Sequence, residues 1–331
     1  MEKCVTKQLR ASMAIFCLLI SAAAHGQSAP VLNMGFSGAG IGSDLLKLIE
    51  RNGLWRKQAV EGRTIYLSSG TLMAQTLSSG DIGIAGFDTP AMLSLALAGH
   101  SLKVIAVPIN RLEPLFVVRN TIKTPPDLKG KKLTISRFGS GSDVMTRVAL
   151  RHWKLDPDKD VSFFQSGNTP TRIAALVAGH MDGALVSSTG VGKIVATGCC
   201  RVLADLAELP LEFANYGVVV SGALLKNQRD NVKRFLQAIV EGIHTFKTKP
   251  DAAHAILRES NGDADVEPLY ARLTKSFRDF PSPEVRGIQN VIDFLPSPKA
   301  RGAKAEDFMD ATLMEEIRKG GFMEKLQGSK G

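Results

Sequence analysis

Twice along this chain a short apolar strand ends in small polar residues and hands over to a helix. The first instance is "SSGDIGIAGFDTPAML" (78–93), and "LVAGHMDGALVSSTGV" (176–191) repeats the device about a hundred residues later. Each belongs to a longer series. In the first half, apolar runs at 31–36, 64–67, 82–87 and 102–109 are separated by helical patterns. One of these places Ile41, Leu45, Leu48 and Ile49 on one face and stops at Asn52-Gly53. Another runs through Leu72, Met73, Thr76 and Leu77, with Ser69 as its cap, and a third opens on Thr89 as cap with Pro90 at the first helical position. After 115–119 and a Pro/Lys-rich turn, the second half repeats the alternation with strands at 131–136, 161–164, 182–188 and 200–206. Near 214–225 it ceases, and the rest reads as amphipathic helix.

Strands alternating with helices imply an α/β fold with mostly parallel sheets flanked by helices. Two such series imply two lobes. The predicted first lobe takes residues 27–114 and 217–331, with the helical C-terminal part. The second takes 115–216, and hinge strands fall near 115–119 and 213–220. Open parallel sheets bind ligands beyond the carboxyl ends of their strands, where helix N-termini present free N–H groups and partial positive charge. Two lobes facing each other in this way make a cleft.

The N-terminus carries Lys3, Lys7 and Arg10, then an uncharged apolar run, then "AAAHGQSAP". That order is the pattern of a secretory signal peptide over 1–26, cleaved after Ala24 or Gly26. The apolar run is shorter than the roughly 20 residues a membrane span needs. Export removes Cys4 and Cys17 and leaves the adjacent Cys199 and Cys200. These are expected as two buried thiols at a strand start, because bonding adjacent cysteines strains the chain. The net charge of +9 comes from scattered Lys and Arg, and only 6% of residues are aromatic. The sequence therefore offers no basic stripe and few stacking platforms for nucleic acid, which is not expected as a partner.

Candidate ligand contacts lie where strands hand over to helices. "GFSGAGIGS" lacks the final glycine of a dinucleotide fingerprint, so Ser37 and Gly38 are read as a ligand-facing loop. Ser69 and Gly70 open the second helix. Asp88 and Thr89 end the third strand, where Asp88 is as well suited to assist a cap as to meet a ligand. Arg111, after the fourth strand, is either a carboxylate or sulfonate partner or a solvated loop residue. In the second series the candidates are Ser140 and Ser142, with Ser142 as an alternative cap, then Asn168 and Thr169, and finally Ser187 and Ser188. The histidines are dispersed, no serine sits in a nucleophile elbow, and no cluster has metal-ligand spacing. Neither a catalytic centre nor a metal or other cofactor is expected.

The stretches "IERNGLWRKQ", "YLSSGTLMAQTLSSGDIGIAGFDTPAMLSLALAGHSLKVIA", "TPPDLKGKKLTISRFGSGSD" and "LDPDKDVSFFQSGNTPTRIAALVAGHMDGALVSS" resemble, in order, the periplasmic substrate-binding proteins of the nitrate/sulfonate/taurine type. This group is also called the thiamine-precursor-synthase-like family. The resemblance covers roughly 32–257. It implies a two-lobed periplasmic-binding-protein fold of type II and a periplasmic location. It further implies a monomer that binds a small, anionic organic molecule and serves an ABC permease in the inner membrane. Two other roles fit the same chain: a periplasmic sensing partner of a membrane receptor, and a pyrimidine-synthase-like enzyme. Against the enzyme, the cysteine-rich motif of that branch is missing; the chain also departs from the family pattern at Gly83, where many relatives carry an aspartate.

Overall fold

The apolar runs of the first series become β1 (Val31–Ser37), β2 (Glu61–Leu67), β3 (Ile84–Gly86) and β4 (Leu102–Arg111) in a computed structural model that describes residues 29–37, 40–262 and 266–328. The signal-peptide expectation and Gly38 lie outside the described residues. The second series supplies β5 (Leu115–Arg119), β6 (Lys131–Ile135), β7 (Val161–Gln165), β8 (Gly183–Val186) and β9 (Cys200–Asp205), and β10 (Glu212–Ser221) follows.

Two five-stranded sheets result, in the orders β2-β1-β3-β10-β4 and β7-β6-β8-β5-β9. In the first, β1 pairs parallel with β2 and β3, and β10 pairs antiparallel with β3 and β4. In the second, β6 pairs parallel with β7 and β8, and β5 pairs antiparallel with β8 and β9. Both sheets therefore run one way except for a single opposed strand. In each sheet that strand is the first the chain forms on arriving from the other. The chain leaves the first sheet through Leu112–Pro114 and returns through 206–211. These crossovers touch, because Leu206 N–H donates to the Pro114 carbonyl at 3.2 Å.

Helices fill the gaps as the apolar spacing predicts: α1 (Ile41–Arg51), α2 (Gly70–Ser79), α3 (Thr89–Leu97), α4 (Gly141–His152) and α5 (Thr169–Val177). The C-terminal helices finish the first lobe. Helix Arg229–Thr248 buries Phe235, Leu236, Ile239, Ile243 and Phe246 against α1 and the sheet, and Trp55 stacks on Phe235 at 4.6 Å. The run 278–310 covers the edge of β4: Val107 N–H donates to Pro281 and Asp310 N–H to Val104, at 2.7 and 3.0 Å. This satisfies a strand edge that would otherwise be open to pairing.

The cysteine expectation is corrected. Cys199 and Cys200 form a disulfide of adjacent residues. Gly198, at φ 71°, precedes the pair just before β9.

Candidate functional site

The strand ends of the two sheets face one another, and the loops after β1, β2 and β3 meet those after β6, β7 and β8 around one cavity of about 80 Å³. A site of roughly 10–15 Å³ holds a water, so this space suits several waters or one small polar molecule. Of the expected contacts, Ser37, Ser69, Gly70, Asp88, Ser142, Asn168, Thr169 and Ser187 line it. Thr89, Arg111, Ser140 and Ser188 do not.

The reasons are local. Asp88, not Thr89, is the N-cap of α3, its carboxylate accepting from Ala91 N–H at 3.4 Å. Thr89 is the first helical residue and fully buried, and its hydroxyl pins α3 to β10 by donating to the Asn215 carbonyl at 3.0 Å and accepting from Gly217 N–H at 2.9 Å. In the same way Asn168 caps α5, accepting from Thr171 N–H at 3.1 Å. Ser140 and not Ser142 holds the N-cap position of α4, buried behind the wall, with its hydroxyl donating to Arg137 O at 2.7 Å. Ser142 instead accepts from Ser136 N–H at 2.9 Å. Arg111 lies exposed at the far end of β4. Ser188 turns away from the cavity to donate to Glu113.

Two charged groups dominate the cavity. The carboxylate of Asp88 bridges the lobes, accepting from Gly141 N–H on α4 at 2.8 Å and from the Ser37 hydroxyl at 3.3 Å. Burial nevertheless pushes its pKa up to about 6, against the lowering effect of those bonds. Its position explains Gly70: a Cβ there would lie 2.0 Å from Asp88 Oδ2. Gly40 is required by a second close approach between the lobes. Its φ is 144°, and a Cβ would lie 2.2 Å from Ser187 Oγ.

Facing Asp88 from the second lobe is Arg172, which the sequence reading missed. It is 6% exposed, and its guanidinium donates to Gly167 O at 3.1 Å, Thr169 Oγ1 at 3.0 Å and Leu185 O at 3.2 Å. Its Nε–H has no partner, and among the described residues no carboxylate forms an ion pair with it. Burial pulls its pKa down to about 10, with Tyr66 and Asp88 holding it up, so it stays cationic at neutral pH. A buried cation without a contacting anion is costly, and an anion entering the cavity would supply the missing charge and acceptor. Asn215 Oδ1, on a residue of the same wall, is likewise buried without a partner. The sequence held one signal for Arg172: it is the single charge in α5 and lies on the helical face of Thr169 and Leu176, the side turned to the core.

The family model described as NMT1/THI5 like matches residues 50–253. Among curated proteins none matches by sequence. Several solved structures share the fold. The alkanesulfonate-binding protein SsuA from Xanthomonas axonopodis pv. citri, bound to MOPS, has a TM-score of 0.67 at 18% identity, covering 81% of this chain and 94% of its own. The periplasmic nitrate-binding protein NrtA from Synechocystis PCC 6803 has a TM-score of 0.70 at 14% identity, covering 88% and 89%. The ligand-binding component of an ABC-type import system from Staphylococcus aureus, with zinc bound, has a TM-score of 0.71 at 14% identity, covering 87% and 98%.

Proposed function

The chain belongs to the NMT1/THI5-like family, and we propose that it is an exported solute-binding protein that captures a small organic anion between its lobes and delivers it to an ABC importer. The observation that carries this reading is Arg172, a buried cation with an unpartnered Nε–H on the wall of a cavity lined by the starts of helices from both lobes. The free N–H groups of those helix starts add positive potential where an anionic head would sit.

The similar folds named above are those of binding proteins for sulfonate and nitrate and of an ABC import component. They support binding and delivery over catalysis. The zinc-bound neighbour suggests a metal as cargo, but among the described residues no group of three or more His, Cys, Asp or Glu could hold one. The organisation that goes with this reading is a leader over residues 1–26, cleaved near Ala24 or Gly26, a monomeric mature protein, and lobes meeting at the two crossovers. Among the described residues no helix is long and apolar enough to cross a membrane.

A thermal-shift panel of alkanesulfonates, short carboxylates and nitrate tests the reading. A ligand at a hundred times its Kd adds about 2.7 kcal/mol, which for a chain of this size raises Tm by roughly 4 °C. At least one anion of the panel should do so for the wild type and fail to do so for a folded Arg172→Gln variant. If none shifts the wild type, or if the hit shifts the variant equally, the proposal fails.

A further inference from the structure

The segments that join the lobes are tied together from outside by one side chain. Arg272 sits on the helix Glu267–Ser276, far along the chain from both crossovers. Its guanidinium reaches them at once. Toward the first crossover it donates from Nη1 to Glu113 Oε1 and from Nη2 to the Glu113 carbonyl, each at 2.8 Å. Toward the second it donates to Asp205 from Nε at 3.2 Å and from Nη2 at 2.6 Å. Asp205 in turn caps the return segment, accepting from Ala207 N–H at 2.9 Å. Burial alone would lower the Arg272 pKa, but the bonds to Asp205 and Glu113 outweigh it and hold the guanidinium above its usual range.

The carboxylate of Glu113 does more than meet Arg272. It is fully buried, and it also accepts from the Ser188 hydroxyl of the second lobe and from the Tyr216 hydroxyl of β10, the latter at 3.4 Å. Tyr216 lines the cavity, and so does Ser187, the neighbour of Ser188. Arg272 itself does not line the cavity. It touches nothing a ligand in the cavity would touch, yet through Glu113 it is joined to walls contributed by both lobes.

We propose that Arg272 is a positioning residue for the cleft, clamping the two crossovers to each other and, through Glu113, holding the Ser188 turn and Tyr216 in the closed arrangement. The inference rests on the reading of the molecule as a two-lobed binding protein whose lobes move about these crossovers. Charge-assisted bonds from one guanidinium to two carboxylates give a stiff joint, because the planar fork fixes geometry as well as distance. The single opposed strand of each sheet begins just beyond a crossover, so slack in the joint would reach both sheets directly.

The test is amide hydrogen exchange of the ligand-free protein. Arg272→Met leaves the buried Glu113 carboxylate without its cation and is strongly destabilising, so Arg272→Met/Glu113→Gln, which removes both charges, is measured beside it. The clamp predicts exchange faster by on the order of tenfold at Leu206, which bonds across the crossovers, with the strand cores of β1 and β6 unchanged. Exchange at Leu206 equal to wild type in a folded double variant would overturn it. Acceleration spread evenly through β1 and β6 would overturn it too, since that pattern marks a loss of global stability only. No ligand enters this experiment, so failure of the anion panel sinks the binding role, whereas failure here sinks only the clamp.

Discussion

At the scale of single residues the site is decided by two opposite charges that the fold buries on facing walls, Asp88 and Arg172. With its pKa pushed up to about 6, Asp88 is mostly ionised at neutral pH and loses its charge under mild acid. The sign for ligand binding follows from linkage. An anion in the cavity is repelled by ionised Asp88 and raises its pKa further, so binding takes up protons below neutrality and affinity rises as pH falls through about 6. A cationic ligand would show the reverse slope. Calorimetry with an alkanesulfonate, which stays ionised throughout, should therefore give tighter binding at about pH 5.5 than at about pH 7.5, and Asp88→Asn should flatten the difference. Affinity that weakens toward acid would contradict the assignment of an anionic ligand. Asp88 was legible in the sequence because it ends a strand just before a proline-opened helix. Arg172 was not, because a lone arginine in a short apolar helix reads equally well as a solvated one, and only the packing of α5 turns it inward.

At the scale of elements, the starts of α2, α3 and α5 do two jobs: their capping side chains close the helix and also line the cavity. The alternation of strands and helices was readable from apolar spacing because each element buries one side against a neighbouring layer. The cap positions were readable only to within a residue. "DTP" and "NTP" each offer two adjacent capping residues before a proline, and proline tolerates either of the first two helical positions. The structure chooses the earlier residue both times, and the threonine that follows is already engaged. Thr89 is bonded to β10, and Thr169 accepts from Arg172. Thr169 is also already the first helical residue, one position past the cap, and so is poorly placed to replace a lost cap. Asn168→Ala should cost about 0.5–2 kcal/mol in urea unfolding, with little change in the steepness of the transition. A variant as stable as wild type would show that Thr169 can take over the cap after all.

At the scale of the whole molecule, the two-sheet architecture was announced by the doubled series of strands, and the largely helical C-terminal part by the point where alternation stops. The order of strands within each sheet was not announced. Nothing local to "ANYGVVV" states that β10 inserts between β3 and β4 rather than adding at an edge, since its neighbours lie more than a hundred residues away. The same long range hid the meeting of Arg272 with Glu113 and Asp205 from any reading of sequence windows. The described arrangement is a closed one, held across the cleft by the Gly141 to Asp88 bond at 2.8 Å. If ligand works by favouring this state over an open one, the shape of the molecule must respond to it. Small-angle X-ray scattering of the mature protein, with and without a saturating anion that raises its Tm, tests that claim most directly. The account predicts that the ligand-bound form contracts toward the roughly 19 Å radius of gyration of a compact chain of this length, while the ligand-free form is measurably larger. Identical scattering profiles with and without the tightly bound anion would contradict it.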